Sequence, residues 1–323
     1  MRSSGAVDLF SPELGMALAG LGALILLGWF LASRGWIGPQ ARQPIMRLII
    51  WVFFPAMIFD RVSRNPLIAS GGQAMLYLGA GFLLILTGYA VATAVGALSG
   101  IPAGVRRRTF AFSAGVNNFG YLGIPVTAAL FDRDVVGVLL VHNVGVEAAV
   151  WTVGIAMLSG SSLRKGMANL LQPMTVALFV ALAVNLSGLG ATEAVGFLCK
   201  VLHPVGDCAI PVGTLLSGIY LHELLGGFRL REDLRISLGV IVVRWLVMPP
   251  LVLGAVACCV TDLSLRQVML VQAAMPCGIF TFLIVDLFKG DAMLSLRCSA
   301  VTMALCAVVT PLWLKVGRGL LGL

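Results

Sequence analysis

Two adjacent amide side chains in an apolar stretch are the first candidates for ligand binding. Asn117 and Asn118 stand in a run that also contains Gly120, Gly123 and Pro125. Glycine loosens a helix, proline removes a backbone donor, and asparagine can bond to its own backbone outside a helix. The pattern therefore predicts a helix that breaks here and leaves amide and backbone groups available to a ligand.

A second interruption stands at the corresponding place in the other half of the chain. Gln272, Pro276 and Gly278, followed by Ile279, lie in an otherwise apolar run. Paired interruptions in matching helices are the best sequence indication of a transporter binding site. A half-helix that begins inside a membrane presents N–H groups and the positive end of its dipole, which favours an anion such as a carboxylate. The alternative for each break is a simple structural kink.

Ionisable residues inside apolar stretches are the next candidates. Glu147 follows Asn143 by one helical turn, so the two share a helix face. Glu147 is either a proton carrier or cation partner, or a member of a fixed ion pair. Arg244 is expected first to pair with a carboxylate such as Glu147, and second to hold a substrate carboxylate. His142 either relays protons or is a buried, hydrogen-bonded side chain.

The composition places these residues in a membrane. Of the 323 residues, 59% are apolar and 11% are charged, whereas soluble domains are about a quarter charged. The 22 basic residues are spread between apolar runs, so the net charge of +8 does not indicate nucleic acid binding. The cysteines lack metal-site spacing, and no nucleotide-binding loop or hydrolase motif occurs. We therefore expect a protein that is not an enzyme and has no cofactor, metal or nucleic acid partner.

Apolar stretches of membrane-spanning length predict an all-helical protein with ten spans. They cover residues 13–33, 44–63, 72–98, 109–131, 134–159, 168–188, 194–221, 235–260, 265–288 and 291–316. Lys and Arg are more frequent in the connections after the odd-numbered spans. Because cytoplasmic loops carry the excess of basic residues, both termini are predicted to face outward from the cell (inner) membrane.

The two halves of the chain share a short sequence feature. Leu-Phe-x-x-Asp closes the fourth span, from Leu130 to Asp134, and the ninth span, from Leu287 to Asp291. A repeat of five spans must insert its second copy upside down. We therefore predict two inverted five-helix repeats, residues 1–160 and 161–323, with chance as the alternative explanation of so short a match.

The two breaks resemble those of a known family, the auxin efflux carrier family of permeases, which includes plant auxin carriers and bacterial malonate and malate carriers. Residues 117–125, Asn-Asn-Phe-Gly-Tyr-Leu-Gly-Ile-Pro, resemble the family's Asn-x-Gly-phi-phi-Gly-phi-Pro signature, in which phi is apolar. Residues 273–279 are similar to its second crossover helix. The resemblance implies a bile-acid-symporter-like fold in which spans 4 and 9 cross at Pro125 and Pro276.

The same resemblance implies a scaffold of spans 1, 2, 6 and 7 and a moving transport domain of spans 3–5 and 8–10. Some plant members have a long loop between spans 5 and 6, but in this chain residues 160–167 are the whole predicted connection. This departure favours a bacterial carboxylate carrier over an auxin carrier.

These observations predict a secondary active transporter of small organic anions, mono- or dicarboxylates such as malonate, malate or auxin-like acids, that works by an elevator-like movement. Its expected partners are the anion and the lipid bilayer, and a fixed scaffold favours a homodimer. The predicted substrate-binding residues are Asn117, Asn118, Gly120, Gly123, Pro125, Asn143, Pro276, Gly278 and Ile279, and the candidates for proton coupling or ion pairing are Glu147, Arg244 and His142. Two alternatives are a sodium-coupled organic-anion symporter and a non-transporting substrate sensor with the same fold.

Overall fold

A computed structural model describes residues 12–68, 70–159, 173–226, 233–279 and 281–323. All regular elements in these ranges are helices, as predicted. Numbered by the predicted span in which each falls, they are α1 (Pro12–Ser33), α2 (Pro39–Leu48, Ile49–Phe53 and Phe54–Val62), α3 (Gly71–Leu98), α4a (Val105–Gly115), α4b (Gly123–Leu130), α5 (Arg133–Ala149, Val150–Gly154 and Ile155–Ser159), α6 (Pro173–Leu186), α7a (Glu193–Asp207), α7b (Ala209–Gly226), α8 (Leu234–Cys259), α9a (Leu263–Ala273), α9b (Thr281–Leu287) and α10 (Ala292–Leu321).

Several helices have the length and composition needed to cross a membrane. Within the described ranges five reach this standard, namely Gly71–Leu98, Arg133–Leu158, Glu193–His222, Leu234–Cys259 and Ala292–Leu321. α1 and α6 contain shorter apolar helical stretches, and α4 and α9 are each divided in two. These helices are those of an integral membrane protein, while the ten spans and their inverted repeat stay a prediction.

Two helix boundaries differ from the predicted ones for local reasons. α2 begins at Pro39 rather than at residue 44, because proline is favoured at the first helical position, where its missing N–H has no helical partner. α10 continues to Leu321 and ends before Gly322, whose φ of 67° is the left-handed conformation typical of a helix C-terminus. The connection between α5 and α6, and with it the predicted repeat boundary, lies outside the described residues.

α3 and α5 pack with their backbones in close approach, and this contact positions the face of α5 that carries Asn143 and Glu147. A Cβ atom on Gly81 would overlap the carbonyl oxygen of His142, and one on Gly145 would overlap that of Leu78. Small residues commonly allow such close packing between membrane helices. α1 and α7b approach each other through glycines in the same way.

Corresponding helices in the two halves have corresponding neighbours. α1 packs on α7b and α6 packs on α2, whereas α4a contacts α10 and α9a contacts α5. The starts of α4a and α9a also match in detail. Arg107 Nε donates to the Ile101 carbonyl oxygen at 3.0 Å, and Arg266 Nε donates to that of Val260 at 2.7 Å.

An ion-pair cluster joins the ends of α2, α5 and α7a. The side chain of Asp60 is 2% exposed, and its Oδ2 pairs with Arg133 and, at 3.0 Å, with Nδ1 of His203. Arg61 pairs with Asp207 at 2.8 Å. The cluster ties three helices together at one end of the bundle.

Candidate functional site

The two broken helices cross at Asn117 and Cys277, which form an antiparallel β-bridge. The Asn118 N–H donates to the Pro276 carbonyl oxygen at 2.8 Å, and the Gly278 N–H donates to that of Val116 at 3.0 Å. Each unwound segment therefore satisfies backbone groups of the other, as non-helical backbone inside a membrane requires. Both breaks occur where the sequence predicts them, and they meet in space.

Pro276 leaves the Gln272 carbonyl oxygen, which Asn117 binds, without its usual helical donor. In a continuous helix the N–H of residue 276 would donate to the Gln272 carbonyl oxygen, but proline has no N–H. Asn117 Nδ2 donates instead to that oxygen at 3.0 Å and to Gln272 Oε1 at 2.6 Å. Asn117 Oδ1 is buried and has no hydrogen-bond partner. This side chain thus joins the two breaks and retains an unused acceptor.

The crossing does not include Pro125, contrary to the expectation from the resemblance. α4b begins at Gly123, so Pro125 stands in its first turn, where a backbone donor would have no helical partner. The unwound residues between α4a and α4b form the break, and the crossing lies at their start.

A cavity of about 340 Å³ lies beside the crossing, bordered by α2, α4, α5, α6 and α9. Its wall is mainly apolar, with amide, hydroxyl and carboxyl groups at a few points. The predicted site residues that line it are Asn117, Asn118, Gly120, Asn143, Glu147, Gly278 and Ile279. The structure therefore brings most of the predicted residues to one space.

Three predicted binding residues, Gly123, Pro125 and Pro276, do not line this cavity. Gly123 instead allows the close approach of Gln272, whose Nε2 would lie 2.6 Å from a Cβ atom at that position. Pro276 contributes its carbonyl oxygen to the crossing. These residues build the break without facing the space beside it.

Asn143 and Asn118 are held in place by the unwound segment of α4. Asn143 Nδ2 donates to the Phe119 carbonyl oxygen at 3.1 Å, so α5 supports the break. Asn118 Oδ1 accepts the Leu122 N–H at 3.2 Å, and the Asn118 backbone carbonyl oxygen accepts the Gly123 N–H at 2.9 Å, so Asn118 satisfies two donors at the start of α4b.

Glu147 is the acidic residue of the cavity wall and is 9% exposed. Its Oε2 is buried and has no hydrogen-bond partner. Among the residues that the structure describes, no basic side chain lies within ion-pair distance of Glu147. The lining residues likewise include no Lys or Arg.

Arg244 does not pair with Glu147, so the first expectation for it is wrong. It is 1% exposed, and its Nη2 donates to the Met275 carbonyl oxygen at 2.9 Å. Arg244 belongs to α8, and its guanidinium group lies just after the C-terminal end of α9a, where a positive charge complements the helix dipole. Arg244 is not among the residues that line the cavity.

His142 is fully buried and does not line the cavity either. Its Nδ1 lies 3.3 Å from Asn143 Oδ1. This contact agrees with the alternative of a buried His142 bonded to a carbonyl oxygen, here that of the Asn143 side chain, while its Nε2 has no hydrogen-bond partner.

Sequence reasoning missed the apolar wall of the cavity. Ile50, Phe54 and Ile58 of α2 and Met174 of α6 contribute to it. The side chains carry no signal that separates them from other apolar residues of a membrane helix. A wide helical turn at Ile49–Phe53 includes one of them, and such turns are frequent at functional sites but leave no clear mark in sequence.

Hydroxyl groups of α9b and α10 form hydrogen bonds to the backbone of the second break. Thr281 Oγ1 and Ser299 Oγ donate to the Gly278 carbonyl oxygen at 2.8 and 2.9 Å. The Cys277 N–H donates to Thr302 Oγ1 at 3.1 Å. α10 therefore supports the unwound segment of α9 as α5 supports that of α4.

Comparison with known proteins adds two findings. A family model described as "membrane transport protein" matches residues 14–169 and again residues 160–314. A protein described as "uncharacterized transporter" from Methanothermobacter thermautotrophicus is 24% identical over 300 residues, which cover 90% of this chain and 94% of that protein.

Proposed function

We propose that this chain, which belongs to the auxin efflux carrier-type family of membrane transport proteins, is a secondary active transporter of small organic anions. The observation that carries the proposal is the cavity beside the crossing of two broken helices. Its volume of about 340 Å³ suits a small ligand such as a mono- or dicarboxylate. Sites of this kind, at paired broken helices, bind the substrates of many secondary transporters.

The chemistry of the wall supports an anion. Gly120 lines the cavity beside the start of α4b, whose N-terminal end carries the positive side of the helix dipole. Asn118 and Asn143 add amide groups next to it. The apolar remainder of the wall excludes water, so these polar groups act on the ligand in a low dielectric. Asn118 and Asn143 are the side chains that we expect to donate to the anion, while Asn117, whose Nδ2 is bound to Gln272, holds the crossing beside it.

We further propose an elevator-like movement of spans 3–5 and 8–10 past a scaffold of spans 1, 2, 6 and 7. The cavity has one wall from α2 and α6 and the other from α4, α5 and α9, so it lies between the two proposed groups. The corresponding helix contacts in the two halves support an inverted repeat of residues 1–160 and 161–323. In this arrangement both termini lie on the outward-facing side of the cell (inner) membrane.

The experiment is flux in proteoliposomes with a panel of labelled mono- and dicarboxylates, while pH and sodium gradients are varied independently. Gly120→Leu is the test variant, because a Cβ atom there meets no other atom within 4 Å and the side chain would fill the cavity. Gly254→Leu is the matched control, since its Cβ atom is equally unobstructed but lies on α8 away from the cavity.

We expect saturable flux in the wild type and in Gly254→Leu, and its loss in Gly120→Leu. Equal flux in both variants would place the pathway elsewhere. Saturable binding without flux under any gradient would favour a sensor instead, and no binding of any carboxylate would contradict the proposed substrate class.

A further inference from the structure

We propose that each anion enters the cavity together with one proton, and that the Glu147 carboxyl group holds this proton. The inference rests on the proposed function and names the coupling ion of that same site. It follows from the polar atoms in the cavity wall and from the absence of basic side chains among the described lining residues.

Two buried oxygen atoms of the cavity residues lack a hydrogen-bond donor. They are Glu147 Oε2 and Asn117 Oδ1, and both residues line the cavity. Asn117 has no spare donor to offer, because its Nδ2 is already bound to Gln272. A buried polar atom without a partner is costly, and a carboxylate anion brings no donor of its own, so a donor at this site must come from another source.

A fixed positive charge does not supply this donor. Arg244, the buried arginine nearest to the crossing in the described chain, donates to the Met275 carbonyl oxygen and stays outside the cavity. The tyrosine and histidine residues on elements around Glu147 are Tyr77 and Tyr89 of α3, Tyr121 of the α4 break, Tyr220 of α7b and His142 of α5. Besides Glu147, the packed elements carry charged residues that are not among the described lining residues of the cavity, namely Arg42, Arg47, Asp60 and Arg61 of α2, Arg133 and Asp134 of α5, Arg106, Arg107 and Arg108 of α4a, Arg266 of α9a and Asp286 of α9b.

An ionised Glu147 would oppose the binding of a second carboxylate in the same small apolar space. Like charges at short range disfavour joint ionisation, and burial strengthens the effect. A proton on Glu147 removes the repulsion and turns its oxygen into a donor toward the anion. A monocarboxylate and one proton together add no net charge to the empty site with ionised Glu147, and a dicarboxylate and one proton add a single negative charge.

The proton balance of the cycle is simple. A proton from the medium forms an O–H bond on Glu147, the anion binds, and the loaded group of helices moves. On the other side the anion leaves, the O–H bond breaks, and the proton enters that solution. No other covalent bond changes, so Glu147 returns to its starting state.

The first test measures protons taken up by the wild-type protein on binding. The probe is the carboxylate of the panel that gives the largest flux, added to purified protein in two buffers with different enthalpies of ionisation. We expect uptake of one proton per anion bound, and an apparent affinity that falls about tenfold per pH unit once Glu147 is ionised in the empty site. Tight binding with neither proton uptake nor a fall in affinity at any pH tested would overturn the inference.

The second test uses Glu147→Gln with Glu193→Gln as control, because Glu193 is an exposed residue at the start of α7a. Glutamine keeps the size of the side chain and a permanent N–H donor. We expect Glu147→Gln to bind the anion without proton uptake and with an affinity that no longer depends on pH, while the control behaves as the wild type.

Proton uptake that persists in folded Glu147→Gln would assign the proton to another group. Flux driven by a sodium gradient, and indifferent to pH, would overturn proton coupling while leaving anion transport intact. Absence of any carboxylate flux would refute the proposed function itself, so the two failures are distinguishable. The wild-type measurement decides the matter even if the variant does not fold.

Discussion

Replacement of Gly81 by alanine should destabilise the protein, whereas the same replacement two residues earlier should not. A Cβ atom on Gly81 would lie 3.0 Å from the carbonyl carbon and closer still to the carbonyl oxygen of His142, so α3 and α5 must separate. A Cβ atom on Gly79 meets nothing within 4 Å. The pair therefore isolates the effect of helix approach from that of the residue type.

The expected magnitude is the difference between two opposing effects. Overpacking of a close contact costs about 1–3 kcal/mol. Alanine in place of glycine gains about 1 kcal/mol in a helix. We therefore expect Gly81→Ala to lower the free energy of unfolding by up to about 2 kcal/mol and Gly79→Ala to raise it by up to about 1 kcal/mol, so that the two variants differ by about 1–3 kcal/mol.

The assay is reversible denaturation in detergent micelles, followed by tryptophan fluorescence, with anion binding measured on the same preparations. Separation of α3 from α5 should also disturb the 3.1 Å hydrogen bond from Asn143 Nδ2 to the Phe119 carbonyl oxygen and so weaken binding. If Gly81→Ala were as stable as Gly79→Ala and bound the anion equally well, the reasoning about the α3–α5 contact would be refuted.

Three further variants test other parts of the structure. Asn117→Ala removes two hydrogen bonds to Gln272; we expect weaker anion binding and a loss of about 1–3 kcal/mol in unfolding free energy, and wild-type binding and stability would contradict this. Asn118→Ala loses one bond to a backbone N–H and should weaken binding with a smaller loss of stability, which parallel isothermal calorimetry and denaturation would reveal; unaltered binding would remove Asn118 from the site. Asp60→Asn should cost about 1–3 kcal/mol, because the Asp60 carboxylate is 2% exposed and pairs with Arg133 and His203, whose exposures of 46% and 42% leave them screened by solvent; a stability equal to that of the wild type in denaturation would contradict a role of the ion-pair cluster in joining the helices.

The breaks in α4 and α9 were predictable because their cause is local. Proline and glycine act through the backbone of their own segment, so Pro276 and Gly278 mark the second break in the sequence itself. The place of the crossing was not predictable from Pro125, since proline at the start of a half-helix and proline within a break give the same sequence signal. Asn143 and Glu147 were expected on one helix face, and both line the cavity.

The partners of buried polar groups were beyond the reach of one sequence. Arg244 and Glu147 each had a plausible partner in the other, but their separation depends on how α8 and α5 pack. Gln272 was recognised as an interruption, yet its bonds to Asn117 arise only because the two breaks meet. The apolar wall from α2 and α6 follows from tertiary packing, which leaves no local signal.

The most direct measurement of the central claim is a structure determined with a transported carboxylate bound. We predict density for the anion in the cavity beside the crossing, within hydrogen-bond distance of Asn118 or Asn143 and next to Glu147. Density at another place, with this cavity empty at a saturating concentration of the anion, would contradict the assignment of the substrate site.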